Sequence, residues 1–509
     1  MDRMTSSSGS IRHESESTSA SGRRHLTVTV GLFFDGTGYN ANNTLKRLAN
    51  HHVIGEIRKQ YAENSEVVHP GDISRSSYDN YTTNIYRLFT LYNSSHADRN
   101  NHQHGVYISG IGTHSGKADT ISGFAIGEGK SGAIAKTDEA LSALTAALQK
   151  MASLAEEKTV VDSLIFDLFG FSRGAAAARH FANRVLSRDP ALVAAIVEGL
   201  NGMEYRGLPT GSTRFLGLFD CVAGVANLAN GFDTHSPDCG GVELGLPAGA
   251  ASRIFQISAG HEFRYNFSLN SIAPDYPELT LPGAHSDIGG GYNPQEEEYL
   301  FLSRPAFNVV PLDSPDAQAD AVHQASGEMR TLLDNPSLEP LLSSGKLSIE
   351  SWHDMRLSPD PSGHPRKLVG AAVALQRTLS NDWAKVTLRV MADAAREAGV
   401  RLAECDNSDP DYRLPPELEP LCDFALRQGQ RVRKGESPQA FSHDNLRIIG
   451  RYIHCSAHWN AVEKSFFWHK DRWESTVSRE VRPAALLSYL NRPEEGWTRT
   501  LHATGSIKR

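Results

Sequence analysis

Between Leu26 and Phe34 nearly every position is apolar or β-branched, and the run breaks into Asp35-Gly36-Thr37-Gly38-Tyr39-Asn40, a cluster of turn formers. That pattern predicts a buried strand feeding a glycine loop. Gly105 to Gly110 repeats it more weakly. Leu141, Leu144, Leu148 and Met151 then recur at spacings of three and four, the signature of one face of an amphipathic helix. The apolar run Ser163 to Phe169 predicts the next strand, and the Ala-rich stretch Arg173 to Leu186 the helix after it. Further strands are expected at Thr213 to Phe219, Arg253 to Ser258 and Glu278 to Leu281. Strands alternating with helices predict an α/β fold with a doubly wound, mainly parallel sheet, whose functional residues gather at the carboxyl ends of the strands.

The outlying segments differ in character. Residues 1–25 are Ser-rich with mixed charge and lack an apolar stretch, so they read as a disordered tail and not as a Sec signal. Residues 26–300 form the alternating core. From 301 to 441, Pro-containing loops and helical segments predict a helical insertion, lid or second domain. Within it the helix from Trp383 to Ala398 is stopped by Gly399 and carries Trp383, Val386 and Val390 on one face, to lie on lipid or pack on the core. Residues 442–509 are expected to pack on the core as a C-terminal segment.

Composition narrows the function classes. The 509 residues are 39% hydrophobic and 22% charged, ordinary for a globular protein, and no apolar run approaches the roughly 20 residues a membrane span needs. A net charge of −8 with no Lys/Arg stripe argues against nucleic acid as a partner. Cys221, Cys239, Cys405, Cys422 and Cys455 are scattered and lack CxxC spacing, so neither a disulfide framework nor a zinc site is indicated. No cofactor is implied. The expectation is synthesis in the cytoplasm.

The chemistry begins at Gly170-Phe171-Ser172-Arg173-Gly174, a G-x-S-x-G pattern. In a chain this rich in glycine about 0.3 matches arise by chance. The context is what distinguishes this one: an apolar strand ends just before Ser172 and a helix starts just after it, as a nucleophile elbow of the α/β-hydrolase type requires. A serine hydroxyl needs a base to take its proton and an acid to orient that base. The order Ser, Asp, His points to Asp220, at the end of the next strand, and His285, in a glycine-rich loop. Asp287 is a competing acid, and His454 and His458 are reserve bases that would share a helix face. The oxyanion requires Arg173 N–H and a second amide from Gly36 or Thr37. Asp35 is expected to hold that second loop by accepting its amides. A His454–His458 metal pair lacks a third ligand, and Asp35, Asn40 and Asn42 miss the spacing of a calcium loop, so no metal is expected.

The segments Phe33 to Thr37, Gly170 to Gly174, Phe219-Asp220-Cys221-Val222, Pro282 to Tyr292 and Tyr452-Ile453-His454 together resemble the type VI secretion phospholipase effectors of the first Tle class. The resemblance implies an α/β-hydrolase domain and phospholipase A activity on membrane phospholipid, with a triad of Ser172, Asp220 and His285. It also implies a VgrG-like secretion spike and a cognate immunity protein as partners, and action in the periplasm of target bacteria. Cys221 stands where a threonine is common, and Gly38-Tyr39 precedes Asn40. The residues alone also allow an intracellular esterase or thioesterase on soluble substrates, or a non-catalytic membrane-binding module of the same fold.

Overall fold

The computed structural model describes residues 23–49, 77–93, 100–117, 119, 132–156, 158–224, 239, 241–355, 357–459, 464–469, 472–477 and 491–503. Nearly all of the Ser-rich tail lies outside them. The main sheet is built from β1 (Arg24–Phe34), β2 (Asn101–Ile108), β3 (Thr159–Phe171), β4 (Ser212–Phe219), β5 (Arg253–Ala259) and β6 (Glu278–Leu281). Its order is β2-β1-β3-β4-β5-β6, every pair is parallel, and a two-residue strand, Glu204–Tyr205, lies beside the start of β3. Each predicted strand of residues 26–300 is present.

Helices cover both faces, which is why these strands read as continuous apolar runs. Val28, Val30 and Leu32 of β1 point to the same side as Leu164, Phe166 and Leu168 of β3. They form one core with α3 (Ala133–Leu154), α4 (Arg173–Leu186) and α5 (Pro190–Leu200). The intervening Phe33 and Phe169 point the other way, with Phe215 and Phe219. There they meet α2 (Asn84–Asn93) and α7 (Trp383–Glu397) in a second core. The remaining early helix, α1 (Ala41–Ala49), follows the glycine loop after β1. Among the described residues no helix is long and apolar enough to cross a membrane.

Two expectations change beyond residue 295. The segment expected to be helical opens as an antiparallel sheet of β7 (Gln295–Phe301), β8 (Ala306–Pro311), β9 (Lys346–Asp354) and β10 (Arg366–Ser380), so the boundary at 300/301 cuts β7. Long β10 pairs β8 along its first half, β7 along its second and β9 along its other side. α6 (Asp320–Leu333) packs its Ala321 and Ala325 against Ala371. The small residues Gly370, Ala371, Ala372 and Ala374 of β10 carry no period-2 signal because β10 is covered on both sides, and that hid the strand. The chain then returns to the main sheet. Trp383, Val386 and Val390 of α7 are fully buried, so this face packs on the core. Each such side chain contributes about 1.5–3 kcal/mol of burial. α8 (Glu419–Arg433) packs beside α7 and against β6.

The topology places the site. From β1 the chain steps outward to β2, then crosses to the other side of β1 for β3. The loops leaving the carboxyl ends of β1 and β3 therefore diverge, the crevice where α/β sheets put their functional groups.

Candidate active site

Ser172 sits at that crevice, between the last residue of β3 and the first of α4, with φ 59° and ψ −128°. A backbone this far from the usual regions costs on the order of 1–3 kcal/mol and persists only where its surroundings enforce it. The enforcement is visible. Ser172 N–H donates to Phe219 O at 3.1 Å, tying the elbow to β4, and Ala175 N–H returns to Ser172 O at 3.0 Å. A Cβ on Gly170 would lie 2.5 Å from Ala175 Cα, and one on Gly174 would lie 2.4 Å from both Phe34 O and Asp35 O. Both glycines of the motif are thus steric requirements of the bend, and Gly174 lets α4 press against the end of β1.

Asp220 follows β4, next to the elbow, with a φ of 41° and no exposure. Its Oδ1 accepts from Ala259 N–H at 2.9 Å, and its Oδ2 lies 2.5 Å from His285 Nδ1. His285 opens a short helical turn after β6 and is 4% exposed. Its ring packs against Phe171, centroids 4.5 Å apart, and edge-on to Phe267 at 5.1 Å. Burial works against ionising Asp220, but the charge of Arg499 and the bond to His285 outweigh it and hold the carboxyl well below the ordinary range. For His285, burial lowers the pKa more than Asp220 raises it, so the imidazole is neutral at pH 7. With Asp220 ionised, Nδ1 carries the proton and Nε2 the lone pair. Ser172, Asp220 and His285, the three residues expected to form the triad, lie at one edge of the sheet, and Asp220 and His285 are in hydrogen-bond contact.

Asp35 ties down the loop after β1. Asp35 is buried. It accepts from Gly36 N–H at 2.8 Å, Thr83 Oγ1 at 2.8 Å and Tyr107 Oη at 2.5 Å. Burial pushes its carboxyl up to about 6 against the pull of these three donors. One consequence corrects the expectation for the oxyanion: the Gly36 amide is taken by Asp35 and is not available. Thr37 N–H donates to no acceptor among the described hydrogen bonds, and Thr37 Oγ1 is buried with no described partner. Arg173, half-buried, is the first residue of α4, at the helix N-terminus, an end whose dipole favours an anion. Tyr39 Oη lies 2.8 Å from Ser286 Oγ, linking the β1 loop to the turn that carries His285.

Asp287 does not compete for His285. Its Oδ1 lies 2.7 Å from His454 Nδ1, while its Oδ2 accepts from Ala284 N–H at 2.8 Å and His454 N–H at 2.7 Å. His454 is fully buried and stacked on Tyr292, centroids 3.7 Å apart. It and His458 lie in an extended segment after the helix His443–Ile449, so they share no helix face. Trp383 Nε1–H donates to Pro282 O at 2.6 Å, bracing the same turn from α7.

Sequence reasoning missed three charged residues. Arg499 donates from Nη1 to Asp220 Oδ1 at 2.7 Å and from Nη2 to Oδ2 at 2.9 Å. Glu262, paired with Arg264 at 2.8 Å, accepts from His285 N–H at 3.1 Å and from Ser456 Oγ. Glu262 follows a predicted strand at its carboxyl edge, the one available hint; nothing in the sequence points to Arg499. A cavity of about 920 Å³ lies between Leu302–Asn335 and Pro493–Trp497, and no triad residue lines it.

The chain was compared with known proteins. The model of the T6SS phospholipase effector Tle1-like catalytic domain matches residues 32–187. A solved structure of the Tle1 effector bound to the VgrG spike from the Type 6 secretion system is 38% identical, with a TM-score of 0.73 and 94% of each chain covered. An uncharacterized protein from Pseudomonas aeruginosa is 16% identical with a TM-score of 0.35, covering 84% of this chain and 53% of its own. No protein of curated function matches.

Proposed function

Because the chain belongs to the Tle1-like phospholipase effector family of type VI secretion, we propose that it is a phospholipase A that cleaves an acyl ester of glycerophospholipids through an acyl-enzyme on Ser172. The observation that carries the chemistry is the strained elbow beside a buried Asp220–His285 pair. In the proposed reaction His285 Nε2 takes the Ser172 hydroxyl proton as Oγ attacks the ester carbonyl, and Asp220 stabilises the imidazolium. The oxyanion forms against the amides of Arg173 and Thr37. Collapse breaks the ester C–O bond, and His285 returns the proton to the departing lysophospholipid alcohol. Water, activated by the same imidazole, then releases the fatty acid.

In this reading the nucleophile, the base and the acid are all side chains of this chain. Export on a VgrG-like spike, by analogy with the bound relative, belongs to the same proposal. So do a cognate immunity protein in the producer and action on membrane phospholipid in the periplasm of target bacteria. The test is hydrolysis of positionally labelled phospholipid vesicles and of a short soluble ester by parent and Ser172→Ala. The expected result is loss on the order of 10⁶ in rate with unchanged folding, and loss of fluorophosphonate labelling. Parental activity in Ser172→Ala refutes the nucleophile. Turnover of the soluble ester without any of the vesicles refutes the phospholipase reading.

A further inference from the structure

The last described stretch of the chain, residues 491–503, is a strap across the catalytic edge. It runs beside residues 263–271, the connection between β5 and β6. Glu494 N–H donates to Phe263 O at 2.7 Å, Tyr265 N–H to Arg492 O at 3.0 Å, Leu269 N–H to Thr500 O at 3.0 Å and Ser271 N–H to His502 O at 3.0 Å. Leu501 and His502 pair in parallel with Leu269 and Asn270. The ladder sets one side chain inward. Arg499, its side chain only 8% exposed, donates from Nε to Phe267 O at 2.8 Å and forks onto both oxygens of Asp220.

We propose that Arg499 is a fourth member of the catalytic array, a positioning residue that fixes the Asp220 carboxylate and neutralises its field so that His285 remains an unprotonated base. This inference rests on the triad reading above.

The geometry assigns each oxygen. Oδ2 meets both His285 Nδ1 and Arg499 Nη2, and Oδ1 meets Arg499 Nη1 and Ala259 N–H. A bidentate guanidinium defines the plane of a carboxylate in a way a single donor does not. Here that plane aims Oδ2 at the ring. The charge matters equally. An unneutralised buried carboxylate 2.5 Å from an imidazole would hold a proton on the pair to higher pH.

The other charged groups around His285 do not replace Arg499. Glu262 and Arg264 are bonded to each other at 2.8 Å, and Arg264 lies flat on Phe267 at 3.3 Å, so together they present a near-neutral pair. Asp287 is committed to His454. Among the described residues Arg499 is therefore the cation that faces Asp220 directly. It reaches the acid from 279 residues further along the chain, so the site is completed only when the strap is laid down.

The experiment compares the full chain with Arg499→Met, Arg499→Gln and Arg499→Lys. Vesicle hydrolysis is followed from pH 4 to 9, and the His285 imidazole is titrated by NMR in the Ser172→Ala background without substrate. In the Met and Gln variants the acid limb of kcat/KM and the imidazole titration should both move up by about one pH unit or more, with the alkaline plateau lowered at least tenfold. Arg499→Lys should return the limb towards the parent while the plateau stays low, because the charge is kept and the fork is lost. Should the Met variant not fold, Arg499→Gln carries the same reading, since it keeps a donor without a charge. A lowered plateau with an unmoved limb and an unmoved imidazole titration would make Arg499 merely structural and overturn the proposal. The NMR titration needs no turnover, so failure of the hydrolase reading and failure of this one are separable.

Discussion

Asp35→Asn tests the buried-carboxylate reasoning most directly, because the two residues have nearly the same shape and differ in charge. Burial pushes the Asp35 carboxyl from an ordinary 3.8 up to about 6. Below the lower value the group is protonated in both folded and unfolded chains and has no effect on the balance. Between the two values the folded chain holds a proton that the unfolded chain has released, so stability falls as pH rises; above about 6 the loss is complete. A shift of about two units corresponds to about 3 kcal/mol. Against a total stability of roughly 5–15 kcal/mol for a domain, that is a large fraction.

Asparagine keeps an oxygen for Gly36 N–H and Thr83 Oγ1, both of which bond the same Oδ1. It loses the acceptor for Tyr107, whose hydroxyl already accepts from Ala41 N–H. That loss costs about 1–3 kcal/mol at every pH. The informative quantity is therefore the difference in unfolding free energy, variant minus parent, measured by urea titration from pH 3.5 to 7.5. It should rise by about 3 kcal/mol across the window, centred near pH 5. A difference that stays flat, or that falls with pH, would refute the claim that Asp35 is held ionised at a cost by burial.

Two further expectations follow from the site. Gly174→Ala places a methyl 2.4 Å from two carbonyl oxygens at the end of β1, so it should cost 3 kcal/mol or more, at or beyond the upper end of overpacking. It should also depress activity by pushing α4 from the oxyanion loop; a thermal midpoint and rate like the parent's would refute this reading. His285→Ala should cut hydrolysis by several orders of magnitude, and His285→Ala/Asp220→Asn should be hardly worse, because triad members act as a unit. His454→Ala should act mainly on stability through Asp287, and a dead His454→Ala beside an active His285→Ala would exchange their roles.

What the sequence determined by itself was whatever depends on neighbours in the chain. The strand–elbow–helix unit around Ser172 is legible because its cause is local: an apolar run, two residues without side chains where backbones nearly touch, and an Ala-rich helix. Asp220 was placed by the same logic, as the residue on which a strand ends, and His285 by the triad's order and a glycine-rich loop. The charge environment was decided only in three dimensions. Whether Asp287 or Asp220 serves His285, whether the Gly36 amide is free, and that Arg499 closes on the acid all depend on which loops meet at one sheet edge. Sequence distance carries no trace of that meeting. The sheet of β7 to β10 was hidden for a related reason. Pattern reading needs one wet face and one dry face, and β10, with its small residues covered on both sides, has no such contrast until its neighbours are in place.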